Sequence, residues 1–233
     1  MNTLQRFWGA FAHLFYPHVC AGCGSDALPE NSELCLSCLY DLPVTGFENH
    51  ADNPVEKIFA GRLRIESASA HYYFSKQSPI QYILHQIKYG GNRQLAHQLG
   101  IMVGTALKES LRFNMVDLII PMPLFIKRER ERGYNQAGVL CGGMAAVMNL
   151  PVCTELVYRS RETDTQTKKN RIDRWNNIRG KFSVLDGTPA VHRHLLLVDD
   201  VITTGATLEA CGSVLLEIPG VKLSIAVLCF ASD

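Results

Sequence analysis

Residues 195–211, LLLVDDVITTGATLEAC, leave few folds open. An unbroken Leu/Val run predicts a strand over residues 195–198, buried on both faces. Asp199 and Asp200 follow at its carboxyl end, where open α/β sheets bind ligands. Thr203, Thr204, Gly205, Ala206 and Thr207 then turn into a helix expected over 206–217. Backbone N–H groups at such a turn, helped by the helix dipole and the Thr hydroxyls, make an anion pocket sized for one phosphate. Two carboxylates just ahead of it suit the vicinal hydroxyls of a ribose. The stretch therefore fits a ribose 5-phosphate, with the phosphate on the turn and the hydroxyls on Asp199 and Asp200. It is not a Walker loop, because the Gly-Lys-Ser/Thr ending is absent. A lone helix-capping aspartate accounts for one acid, but not for the pair and three threonines.

The rest of the chain alternates in the same way. Strands are expected at 65–75, 115–120, 181–185 and 222–230, with an extended segment at 152–158. Helices are expected at 79–89, 94–111 and 134–148. This alternation implies an α/β fold, a mostly parallel sheet with helices on both faces. Residues 44–60 read as a linker with a turn at Asn53-Pro54. Leu4, Phe7, Trp8, Phe11, Leu14 and Phe15 recur at helical spacing, and the polar side lacks the Lys/Arg of a lipid-binding helix. That helix is expected to pack on its neighbour. No apolar run approaches a membrane span, and the first twenty residues lack a signal peptide's pattern, so a cytoplasmic protein is expected.

Eight cysteines without an export signal favour metal over disulfides. Cys20 and Cys23 form one Cys-x-x-Cys pair; Cys35 and Cys38 form another. Two such pairs complete a four-thiolate tetrahedron, which zinc prefers, and four protein ligands make the site structural. The segment around them is too small for a core of its own. Cys141, Cys153, Cys211 and Cys229 lie in apolar surroundings and are expected to be buried thiols.

Charge is uneven. Residues 127–193 hold 13 Lys/Arg against 7 Asp/Glu; the remainder holds 10 against 15. A basic field of this kind attracts phosphates, on a small molecule or on nucleic acid. It has two parts. PMPLFIKRERERGYNQA follows an expected strand and precedes a helix, and Arg128, Arg130 and Arg132 supply donors for phosphate oxygens, with Glu129 and Glu131 interleaved. Residues 159–180 are polar, basic and aperiodic, the pattern of a long mobile loop.

Taken together, these motifs resemble the ComF/GntX proteins of the type I phosphoribosyltransferase superfamily. The resemblance rests on the Asp-Asp and Thr-Thr-Gly-Ala-Thr pattern, the four-cysteine knuckle, Ile87-Lys88-Tyr89-Gly90, and the Pro121-Met122-Pro123-Leu124 stretch with its arginines, Gly133, Tyr134, Asn135 and Gln136. It extends to Thr163, Gln166, Arg174, Asn177 and Phe182. Phe125-Ile126 stand where the family often has His-Pro, and Lys169 where a Leu is common. The resemblance implies a phosphoribosyltransferase-like domain over 44–233, an N-terminal helix and zinc module over 1–43, and a lid at 159–180. It implies a site for phosphoribosyl pyrophosphate with Mg2+, in which Lys88, Arg128, Arg132, Gln166 and Arg174 join the Thr-rich turn as ligand-binding residues. Asp199 and Asp200 would be the catalytic pair if the protein turns over. It also implies a role in using imported DNA, with single-stranded DNA and a DNA-uptake protein as partners. An active phosphoribosyltransferase of nucleotide salvage, or a non-catalytic sensor of phosphoribosyl pyrophosphate, is the alternative.

Overall fold

A computed structural model of the chain describes residues 19–29, 32–159 and 181–231. The expected N-terminal helix and residues 160–180 of the basic loop lie outside the described residues, and Gln166 and Arg174 with them. Four parallel strands form the main sheet: β1 (Ser67–Tyr73), β2 (Leu118–Pro121), β5 (His194–Ile202) and β6 (Lys222–Phe230). Their order is β1-β6-β5-β2.

Side chains alternate across a strand, and here the alternation divides the core in two. Leu196, Val198, Ala226 and Leu228 pack with Ile83, Ile87, Leu99 and Leu140. These come from α3 (Pro79–Tyr89), α4 (Arg93–Glu109) and α6 (Gln136–Met148). Leu195, Leu197, Ile225 and Val227 pack on the other face with Phe59, Leu208 and Leu215. These come from α2 (Pro54–Phe59) and α7 (Ala206–Leu215). Helices on both faces explain why the central strands read as nearly continuous apolar runs.

Three features depart from the sequence expectation. Residues 44–60 are not plain linker. Asn53 accepts from the Val55 and Glu56 N–H groups and Pro54 occupies the first turn, so α2 starts there. β3 (Val157–Arg159) and β4 (Phe182–Val184) do not join the main sheet but pair antiparallel with each other. They flank the basic segment, and a chain that returns on itself pairs antiparallel. Finally, β5 runs on past Val198 to Ile202, because β6 continues to pair with it.

The four-cysteine segment shares the core of α3 and α4. Leu34, Cys35, Cys38 and Leu42 belong to that apolar cluster. α1 (Leu36–Asp41) lies within this segment. At the start of α4, Asn92 Nδ2 donates to Glu33 Oε2 at 2.7 Å, and the Glu33 N–H donates to Gln98 Oε1 at 3.0 Å.

Candidate functional site

The pairing of β5 determines where the site opens. β2 pairs with β5 only as far as Pro121 opposite Val198. Beyond that the chain turns into the loop at 122–125, and one edge of β5 is released. Asp199 and Asp200 sit on the released stretch, still held on the other edge by β6.

Strand alternation then separates their surroundings. Asp200 follows the parity of Leu196 and Val198, towards α3, and its Oδ2 lies 3.0 Å from Lys88 Nζ. Asp199 follows the parity of Leu195 and Leu197, towards α7, and lines a hollow of about 60 Å³ with residues 201–208. The Asp200 N–H donates to Asp199 Oδ1 at 2.8 Å. Burial, then the adjacent Asp200 charge, push the Asp199 carboxyl up to about 7.

The Thr-rich turn walls this hollow: Thr203, Thr204, Gly205, Ala206 and Thr207 all line it. Gly205 is demanded twice. Its φ is +72°, and a Cβ there would sit 2.6 Å from Ile58 Cγ2. Arg62 fixes the turn from outside. Its Nη1 donates to the Thr204 carbonyl at 3.0 Å and to the Ile58 carbonyl at 3.1 Å, and its Nη2 pairs with Glu209 in the first turn of α7. No periodicity or motif marks Arg62 in the sequence.

Lys88 also lines a second, wider hollow of about 580 Å³, with Tyr89, Gly90, Gly91, Arg128, Glu131 and Arg132. Arg128 and Arg132 lie on α5 (Ile126–Arg132), ended by Gly133 in the left-handed region. Asn135 ties the preceding loop down. Its side chain caps α6 by accepting from the Gly138 N–H, and its Nδ2 donates to the Met122 carbonyl at 3.1 Å. Arg132 Nη1 donates to Gln136 Oε1 at 2.8 Å. Lys88 thus links the wide hollow to Asp200, while Asp199, the preceding residue of β5, walls the small one. Arg159 was expected only as the first residue of a loop. Burial first, then the like charge of Arg128, lower its pKa, while Asp199 acts in the opposite direction. Arg159 Cζ lies 5.5 Å from the Phe182 ring centre.

Away from this edge, the ligand atoms of Cys20, Cys23, Cys35 and Cys38 all lie within 4.8 Å of one another. The Cys35 N–H points at Cys20 Sγ (3.3 Å) and the Cys38 N–H at Cys35 Sγ (3.4 Å). Burial works against ionising Cys20, but backbone N–H groups of Cys35, Cys23 and Gly22 prevail and bring it to about 6. Gly22 admits no side chain, since its Cβ would meet Cys38 Sγ at 2.9 Å. The cluster fits a metal ion such as zinc. Among the described residues no helix is long and apolar enough to cross a membrane.

No family model matches the chain. It is 34% identical to competence protein F of Haemophilus influenzae over 146 residues, 62% of this chain and 63% of that protein. It is 28% identical to DNA utilization protein YhgH of Escherichia coli K12 over 154 residues, 65% of this chain and 67% of that protein. With competence protein ComFC of Bacillus subtilis the identity is 32% over 107 residues, 43% of this chain and 38% of that protein. The chain thus matches about two thirds or less of each relative's length. Among solved structures it is similar to glutamine phosphoribosylpyrophosphate amidotransferase from Bacillus subtilis (TM-score 0.41, 17% identity, 61% of this chain and 30% of that one). A hypoxanthine phosphoribosyltransferase from Staphylococcus aureus is also similar (TM-score 0.36, 12% identity, 59% and 63%). By these comparisons, the chain is similar in sequence to competence and DNA utilization proteins.

Proposed function

We propose that this protein supports the use or processing of imported DNA, and that it binds a ribose 5-phosphate group, phosphoribosyl pyrophosphate in particular, along the released edge of β5. One observation carries the ligand reading. The adjacent acids serve two hollows: Asp199 walls a small one with the Thr-rich turn, and Asp200 pairs with Lys88, which lines a wide one with Arg128 and Arg132. In this reading the 5-phosphate sits on the Thr-rich turn, where the α7 N-terminus and its N–H groups favour an anion. Asp199 and Asp200 accept from the ribose hydroxyls. Lys88, Arg128 and Arg132 meet a pyrophosphate. Mg2+ bound with the ligand would offset the leaving group's charge. Asp199 and Asp200 are the residues that would hold it. In turnover, their charge would also stabilise an electron-poor sugar carbon through position and field alone. Gln166 and Arg174 would complete the site from the basic loop, acting as a lid.

Titration of phosphoribosyl pyrophosphate with Mg2+ into the wild type and into the Asp199→Ala/Asp200→Ala variant tests the reading. Binding by the wild type that the variant loses supports it. Equal binding by both rules these acids out as the ligand's holders.

The half-buried acid pair beside an open hollow also suits an active phosphoribosyltransferase, with a non-catalytic sensor as the other form of the same site. Release of pyrophosphate in the presence of candidate acceptors separates the two. For the cysteines we propose zinc. Zn–S bonds of about 2.3 Å in a tetrahedron hold sulfurs about 3.8 Å apart, and Cys23 Sγ and Cys35 Sγ are 3.7 Å apart. The metal would hold the module against α3 and α4, and the module together with the basic loop would contact single-stranded DNA or a DNA-uptake protein. A cytoplasmic location agrees with these ligands.

A further inference from the structure

α3 buries Ile80, Ile83, Leu84 and Ile87. Its outward side carries Tyr82, His85 and Tyr89, spaced three and four residues apart and so aligned on one face. Tyr82 is 58% exposed and Tyr89 69%. The remaining outward positions near them, Gln81 and Gln86, are polar. The face therefore exposes rings and no aliphatic side chain. Lipid tails or an apolar protein helix would be matched by Leu, Ile or Met here.

The rings are also placed next to positive charge. The His85 and Tyr89 centroids are 5.0 Å apart, tilted by 46°. Arg132 Cζ lies 5.7 Å from the Tyr89 ring centre. Tyr89 is itself a wall of the wide hollow that holds Lys88, Arg128 and Arg132, with Glu131 as its acid. Exposed aromatic rings beside a cationic groove are the combination that holds flexible single strands. Bases stack on the rings, because every base has a flat π face, and phosphates follow the cations. A duplex keeps its bases stacked on each other and has none to offer.

We propose that the face of α3 bearing Tyr82, His85 and Tyr89 is a stacking surface for unpaired bases of a single nucleic-acid strand, with Arg128 and Arg132 meeting its phosphates. The proposal rests on reading the protein as one that handles DNA. It uses described residues outside the acid pair and the Thr-rich turn, and it does not depend on the basic loop.

Fluorescence anisotropy of labelled oligothymidylate, of an abasic deoxyribose-phosphate strand of equal length and of a duplex of equal length tests it. The wild type should prefer oligothymidylate to both others. Tyr82→Ala/Tyr89→Ala should weaken oligothymidylate binding about tenfold or more and leave the abasic strand bound as before. Tyr82→Phe/Tyr89→Phe, which keeps both rings, should bind oligothymidylate like the wild type. The proposal is overturned if the alanine variant binds oligothymidylate as the wild type does, or if the wild type treats the abasic strand or the duplex as it treats oligothymidylate. Arg128 and Arg132 belong to both surfaces, so the Asp199→Ala/Asp200→Ala variant separates the two readings: it should lose phosphoribosyl pyrophosphate and keep oligothymidylate.

Discussion

Asp200 Oδ2 and Lys88 Nζ lie 3.0 Å apart, a contact that ties the released edge of β5 to the last turn of α3. Both side chains are about four-fifths covered. A cation already stands where one carboxylate of an adjacent acid pair would otherwise be unopposed. It also lines the hollow of Arg128 and Arg132, so a single side chain touches both an acid of the pair and the cationic hollow.

Lys88→Ala should therefore act on one part of the ligand more than another. A charge-assisted hydrogen bond is worth about 1.5–3 kcal/mol. Affinity for phosphoribosyl pyrophosphate should fall at least about tenfold, while ribose 5-phosphate, which lacks the pyrophosphate, should lose much less. Calorimetric titration of both ligands checks this; equal losses would count against Lys88 as a pyrophosphate contact.

The raised Asp199 carboxyl fixes a pH dependence. Its native pKa of about 7 stands above the ordinary carboxylate value of 3.8. The unfolded chain ionises first, so this group lowers stability progressively as pH rises from about 4, fully so above about 7. Asp199→Asn should raise stability at pH 8 by about 1–2 kcal/mol and have little effect at pH 4. A ligand held through Mg2+ needs the ionised acid. Its affinity should rise from pH 5.5 to 8, with proton release on binding below about pH 7. Titration in two buffers of different ionisation enthalpy measures that proton.

Gly205→Ala should damage the turn from two sides, through its positive φ and through contact with Ile58 and Phe59. A loss of about 2–3 kcal/mol in stability is expected. Arg62→Ala leaves that geometry in place but removes the donor to the Thr204 carbonyl. It should weaken ribose 5-phosphate binding while free ribose is unaffected, a difference that a general loss of folding would not produce.

Removal of metal should be felt beyond the knuckle, because Leu34, Cys35, Cys38 and Leu42 share a core with α3 and α4. Treatment of the purified protein with a strong chelator, or Cys35→Ser, should lower the melting temperature by roughly 5–10 °C. Elemental analysis should find one zinc per chain, lost in the variant. An unchanged melting curve would deny the metal a structural role.

The long periodic elements were legible in the sequence: α3 spans residues 79–89 as expected, and the all-parallel main sheet follows from the alternation of elements. The Thr-rich turn and Asp199 stood out because they carry chemistry at a fixed spacing, whereas Lys88 was singled out only by the family resemblance. α2 was not, since six residues are too few to show a helical period, although Asn53-Pro54 is a cap followed by a first-turn proline. The extension of β5 through the acid pair was hidden because carboxylates interrupt an apolar run. Only pairing with Val227, Cys229 and Phe230 of β6 keeps that stretch extended. Arg62 meets Thr204 across 142 positions of chain, a relationship that no local pattern records.

The most direct test of the central claim is the titration of phosphoribosyl pyrophosphate with Mg2+ into the wild type and the Asp199→Ala/Asp200→Ala variant. The account predicts saturable binding to the wild type and none to the variant. Absence of binding to the wild type, or equal binding by the variant, would contradict it.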